Sequence, residues 1–143
     1  MAVKNVTVRE AHKKQGEGYT YIDVRSVPEF EAGHPAGAVN IPLLNRDART
    51  GQMAPNPDFL DVMKANFAPD AKLLIGCQVG GRSAQAAHVL DGSGYSDVTN
   101  VLGGYGGMRD GSAEGWAPAG LPIETEAPDR TYETLRAKTQ KGG

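Results

Sequence analysis

A single cysteine, Cys77, stands between an apolar run and a glycine-rich turn in the stretch Leu73-Leu74-Ile75-Gly76-Cys77-Gln78-Val79-Gly80-Gly81-Arg82-Ser83. Leu73, Leu74 and Ile75 have the continuous apolar character of a strand buried on both faces. Ala86, Val89 and Leu90 recur at helical spacing, and Ser83 sits near the expected helix start. Cys77 therefore opens a tight loop at a helix N-terminus. The first turn of a helix does not use its own amides, so the amides of Gln78 to Ser83 can turn inward on whatever atom the cysteine carries. Gly80 and Gly81 permit so tight a curl. The helix end and the charge of Arg82 both favour a thiolate. The chemistry this suggests is nucleophilic, a sulfur anion held by main-chain donors with no metal required. The plain alternative is a buried cysteine that merely ends a strand, because free cysteine is among the most buried residue types.

The elements that must position this loop can be read in chain order. Thr7 and Glu10 have capping-box spacing, which predicts a helix from Val8 to Gln15 after a short extended arm. Tyr19 to Val24 is rich in aromatic and β-branched residues and reads as a strand, with Asp23 near its carboxyl end, the edge where open α/β sheets bind ligands. Pro28 suits the first turn of a short helix, and Ala38 to Ile41 suits a strand. Asp23, Arg25 and Glu29 read first as a structural charge cluster, and His34 as a turn residue satisfied by local hydrogen bonds. Leu44 to Pro55 is polar and rich in breakers, the composition of a surface loop. Asn56 and Pro57 open a helix that turns Leu60, Met63 and Phe67 to the core. Asp97 to Leu102 is a further strand, and Thr131 to Gln140 is predicted to be a short exposed helix.

At 143 residues the chain has the size of one domain. We expect that domain over residues 1–124, followed by a polar tail over 125–143. A net charge of -2 with 22% charged residues provides no electrostatic footprint for nucleic acid or for an anionic membrane surface. No stretch approaches the roughly 18 apolar residues of a membrane span. One cysteine cannot form an internal disulfide, which fits a reducing compartment and leaves any sulfur carried by Cys77 to depart to an outside acceptor. The expected location is cytoplasmic, or an organelle lumen where a targeting segment has been removed.

Cys77-Gln78-Val79-Gly80-Gly81-Arg82, between a buried strand and a helix, resembles the active-site loop of the rhodanese family of sulfurtransferases. Two further stretches carry the resemblance in the family's order. The first comprises Asp23-Val24-Arg25, Glu29-Phe30, Gly33-His34 and Gly37 to Pro42; the second comprises Gly103 to Met108, Trp116 and Gly120 to Ile123. Phosphatases and arsenate reductases of related fold resemble the chain less well, because their loop is Cys-x5-Arg and here it is Cys-x4-Arg. The shorter ring accommodates one sulfur atom and cramps a tetrahedral phosphate.

The resemblance implies a three-layer α/β fold, with a central, mostly parallel five-stranded sheet and helices on both faces. It also implies a sulfane sulfur taken from a donor such as thiosulfate as a Cys77 persulfide and passed to a thiol or cyanide. Cys77 is then the catalytic nucleophile. Gln78, Val79, Gly80, Gly81, Arg82 and Ser83 bind the donor anion, with Gln78 and Val79 on the pocket rim, and Asp23 and Arg25 support the site. No cofactor or metal is expected. The partners are a small sulfur-donor anion and a thiol or protein acceptor. A non-enzymatic protein-binding or sulfur-carrier module is the alternative. The glycines of Tyr105 to Ala117 leave open whether the family's helix forms there, and the Gly-x-Gly-x-x-Gly pattern that begins at Gly104 fails at its last position, which excludes a dinucleotide site.

Overall fold

The computed structural model describes residues 3–46, 49–78, 81–107, 113–126 and 129–141. The elements are, in order, β1 (Lys4–Val6), α1 (Val8–Gln15), β2 (Thr20–Asp23), α2 (Val27–Ala32), β3 (His34–Pro35), β4 (Val39–Asn40), β5 (Leu44–Arg46), β6 (Met53–Pro55), α3 (Phe59–Asn66), β7 (Lys72–Gly76), α4 (Gly81–Asp91), β8 (Asp97–Val101), β9 (Ile123–Glu124) and α5 (Tyr132–Lys141). Five of the strands form one sheet in the order β1-β8-β7-β2-β4, and every pairing in it is parallel. β7, the strand that leads into Cys77, lies at its centre. The local signals set the boundaries where they are strong. Thr7 accepts from the Glu10 amide while its own amide donates to the Glu10 carboxylate, and α1 runs over the residues predicted.

Alternation along the strands sends side chains to two separate cores. On one face Ile22, Leu73, Ile75 and Val98 pack with Phe59, Val62 and Met63 of α3, Ala86, Ala87 and Leu90 of α4, and Leu135 of α5. On the other, Val6, Tyr21, Leu74 and Val101 pack with Val8 and Ala11 of α1, Phe30 of α2, and Trp116. Both faces are therefore covered, as the continuous apolar run in β7 requires.

The structure refines several of these expectations. Leu44 to Pro55 is not merely a loop, because β5 and β6 pair antiparallel with Leu44 opposite Pro55. A surface hairpin held by main-chain bonds needs no apolar alternation, so its sequence carried no strand signal. α3 begins at Phe59, after Asn56 has accepted the Asp58 amide, and its most buried residues are Phe59, Val62 and Met63, with Leu60 and Phe67 packed partly buried beside them. In α4, Val89 points outward while Ala86, Ala87 and Leu90 face the sheet. The last helix is not simply exposed either. Leu135 is buried, Tyr132 packs against the same core, and Asn66 of α3 donates to the Leu135 carbonyl at 3.1 Å. The segment after Glu124 also reaches the sheet edge, where the Asn40 amide donates to the Arg130 carbonyl and Arg130 Nη1 donates to the Ala38 carbonyl.

Removing the Leu135 side chain leaves a hole under α5. Leu135→Ala should lower stability by about 2–5 kcal/mol in equilibrium denaturation. A loss below about 0.5 kcal/mol would mean that α5 is an appendage to the domain.

Candidate active site

Parallel register brings three strand ends together at one edge of the sheet. Asp23 at the end of β2 lies beside Gly76 of β7 on one side and Asn40 of β4 on the other. Main-chain bonds continue past the strands, with the Val24 amide donating to Gly76 and the Ile41 amide to Asp23. Cys77 follows Gly76 directly, and the first turn of α4 begins at Gly81. Cys77, Gln78, Gly81, Arg82 and Ser83 thus come together as the sequence predicts, whereas Val79 and Gly80 lie outside the described residues. The cysteine is recessed, with 1% of its surface exposed, and joins the core that packs against α3 and α4.

The glycine-rich segment has a role that the sequence reading left open. Its described residues form turns and no helix. The Tyr105 amide donates to the Cys77 carbonyl at 2.7 Å, and the Gly106 amide to the Gln78 carbonyl at 2.9 Å. Behind them Trp116 donates to the Gly104 carbonyl and Ala117 to the Tyr105 carbonyl, so residues 104–106 lie between the cysteine loop and residues 115–117. A Cβ on Gly104 would run into the Cys77 carbonyl, and its φ of +55° suits glycine. A Cβ on Gly106 would meet the Gln78 side chain. These glycines form a main-chain clasp on the cysteine loop.

Arg25 connects the pieces. Its guanidinium donates to both carboxylate oxygens of Asp23, with Nη2 at 2.8 Å from Oδ2, and to the Gly33 carbonyl at 2.7 Å. Nη1 reaches Gln78 Oε1 at 3.4 Å, and the group lies 4.3 Å over the Tyr105 ring. Arg25 and Asp23 are both buried, at 3% and 1% exposure. Burial alone would pull the Arg25 pKa down, but the hydrogen bonds and charge of Asp23, with further help from Glu29 and Tyr21, hold it above its usual value. Of the three charged residues grouped from the sequence, Asp23 and Arg25 pair with each other, whereas Glu29 pairs with Arg82. Gln78 is half-buried, accepts from Arg25 and lies against Gly106 of the clasp.

Arg82 is also committed. Its two terminal nitrogens reach the two oxygens of Glu29 at 2.8 and 3.1 Å. Glu29 Oε1 additionally accepts from the Ser26 amide and hydroxyl at the start of α2. Burial pushes the Glu29 carboxyl up, but the hydrogen bonds from Arg82 and Ser26 and the Arg82 charge outweigh it and lower the pKa to about 2. Arg82 thus brings to the loop a charge partly balanced by Glu29. Ser83 is the third residue of α4 and does not cap it, since its hydroxyl donates to Asn100 Oδ1 at 2.7 Å, whose amide nitrogen donates on to Asn5. That chain anchors the start of α4 to β8 and β1.

His34 lies elsewhere, buried, with Nδ1 donating to the Phe30 carbonyl at 2.7 Å and its ring stacked on Phe30. Among the described residues no three His, Cys, Asp or Glu side chains gather to hold a metal, and no helix is long and apolar enough to cross a membrane.

Two outcomes follow from this geometry. Because the folded Glu29 pKa lies below the ordinary 4.5, its stabilising contribution is present above pH 4.5 and is lost as pH falls toward about 2. After solvent screening that contribution is on the order of 1 kcal/mol, so Glu29→Gln should flatten the acid limb of the stability profile by about that much. Gly104→Ala should displace the Cys77 carbonyl and reduce reaction at Cys77 with more effect than Gly51→Ala, where no atom lies near the added Cβ. Equal effects in a thiol-reactivity assay would refute the clasp.

Comparison with known proteins agrees with this architecture. A family model described as Rhodanese-like domain matches residues 7–110. The chain is 39% identical over 120 residues to "Thiosulfate sulfurtransferase 16, chloroplastic" of Arabidopsis thaliana, covering 84% of this chain and 92% of that protein. It is 35% identical over 120 residues to "Senescence-associated protein DIN1" of Raphanus sativus, covering 84% of this chain and 60% of that protein. The crystal structure of Rv0390 from M. tuberculosis superposes with a TM-score of 0.73 over 88% of this chain and all of that one, at 24% identity, and so speaks for the fold alone. With the cysteine loop, the Asp23–Arg25 pair and the glycine clasp at one sheet edge, the chain belongs to the rhodanese-like domain family.

Proposed function

We propose that the protein is a sulfurtransferase that moves a sulfane sulfur through a persulfide on Cys77. The observation that carries this reading is the placement of the single cysteine, at the carboxyl edge of the central strand and directly ahead of the first turn of α4. A helix start so placed has unused amides and partial positive charge to offer whatever the cysteine carries. The Cys77 thiolate attacks the outer sulfur of a donor such as thiosulfate, the donor's S–S bond breaks, and sulfite leaves with the electron pair. An acceptor thiolate or cyanide then attacks the outer sulfur of the persulfide, and the Cys77 thiolate is regenerated. The two steps balance without an external oxidant or reductant.

The surroundings shape the choice of donor. Arg82 shares its charge with Glu29, and Gln78 is engaged by Arg25, so the described part of the loop offers a doubly charged anion less attraction than a lone arginine would. We therefore assign modest activity with thiosulfate and leave the physiological donor to experiment. The recessed cysteine favours a second reading, a carrier or binding module that exchanges sulfur only with a dedicated partner. A reducing compartment suits the lone thiol, either the cytoplasm or an organelle interior, and the chloroplastic name of one relative fits the latter.

Incubation with thiosulfate should raise the intact mass by one sulfur atom, and a reductant should remove it. Cys77→Ser should abolish transfer to cyanide, and transfer that survives this substitution would sink the reading. Arg82→Ala should lower kcat/KM for thiosulfate by about tenfold, the scale of losing one partly screened charge contact. Persulfide formation without turnover on cyanide or small thiols would favour the carrier.

A further inference from the structure

Four buried side-chain oxygens among the described residues have no hydrogen-bond partner: Tyr21 Oη, Asn40 Oδ1, Asn66 Oδ1 and Thr99 Oγ1. Of these, only Tyr21 Oη presses on the residue that precedes the cysteine. The ring leans along the sheet from β2 over Gly76 of β7, and its hydroxyl occupies the space where a Gly76 side chain would stand. Trp116 meets the ring edge-on at 5.4 Å and is itself fixed by its indole N–H donating to the Pro122 carbonyl at 2.6 Å. A buried hydroxyl with no partner is destabilising, and phenylalanine would fill the same volume without that cost. The fold tolerates this loss beside the one residue type, glycine, that makes room for it.

We propose that Tyr21 is a positioning residue for the chemistry at Cys77, its hydroxyl a rotor whose dipole turns toward the sulfur whenever that sulfur is negatively charged. The inference rests on reading Cys77 as the sulfur-carrying nucleophile. Strand alternation sends Tyr21 and Cys77 to opposite faces, so the hydroxyl acts across the Gly76 main chain, through its field and not through a direct bond. A partner-bound hydroxyl could not follow a charge that comes and goes in each cycle, whereas an unpartnered one can. In a buried, low-dielectric setting such a dipole carries further than it would in water.

The charged groups facing this hydroxyl are Asp23 and Arg25 from the end of β2 and Cys77 from the end of β7, while Arg82 and Glu29 act on the same region from α4 and α2. His12 of α1 meets Trp116 and not Tyr21. Burial first, then the negative charges of Asp23 and Cys77, push the Tyr21 phenol well above its usual range against the pull of Arg25, so it remains a protonated donor.

The single cysteine makes the test direct. The ultraviolet absorbance of the thiolate is followed against pH in the wild type and in Tyr21→Phe, with Cys77→Ser as the blank and the melting temperature recorded for each. Loss of the hydroxyl should raise the Cys77 titration midpoint by about half a pH unit, about threefold less thiolate below the midpoint. The melting temperature should stay equal or rise, because only an unpartnered oxygen has been removed. A midpoint that does not rise overturns the assignment, whatever the melting temperature does. Failure of the wild type to take up sulfur from thiosulfate would remove the sulfur-transfer reading instead, and the titration would still decide what Tyr21 does to the thiol.

Discussion

The buried pairing of Asp23 with Arg25 is the constraint on which the site depends. Two ions taken from water cost several kcal/mol each, and such a pair persists only when its remaining donors and acceptors are also met. Here the guanidinium meets Asp23, the Gly33 carbonyl, Gln78 and the Tyr105 ring. Asn40 in turn donates to the main-chain carbonyls of both Asp23 and Arg25. Each contact comes from a different part of the chain. Displacing any one of them would leave a buried charge incompletely solvated, so the pair joins the end of β2, the turn after α2, the cysteine loop and the glycine clasp into one cooperative unit.

Much of this was legible before the fold was known, and what was legible has a common character. Signals that act within a few residues were strong: the Thr7 and Glu10 capping box, the apolar run into β7, and Pro28 near the start of α2. The cysteine loop was legible because its chemistry depends on neighbours in sequence. Interactions between distant positions were not. Nothing local pairs Glu29 with Arg82, 53 positions away, and nothing local pairs Gln78 with Arg25. The glycines from Gly103 to Gly107 carry no side chain that announces a role, and the close approach of Gly104 and Gly106 to Cys77 and Gln78 exists only once β7 and β8 are side by side. The packing of α5 rests on Tyr132 and Leu135 in an otherwise polar segment, too few apolar positions to show a buried face.

The electrostatics of the site are those of balanced pairs, not of an open cationic funnel. Arg25 is matched by Asp23 and Arg82 by Glu29, so on the proposed reading the main-chain dipoles at the start of α4 take the larger share in holding the sulfur. Dipoles of this kind favour a small, polarisable charge held close and fall off quickly for a larger anion held further away.

The attachment of residue 130 to the outermost strand also bears on how the molecule behaves in a crowd. β4 ends the sheet and, left bare, would present unsatisfied main-chain groups to any extended peptide. The Asn40 N–H is already occupied by the Arg130 carbonyl and the Ala38 oxygen by the Arg130 guanidinium. The opposite border is β1, only three residues long and opened by a lysine. Neither margin offers a long template for another copy to zip onto, which guards a parallel sheet against growing from molecule to molecule.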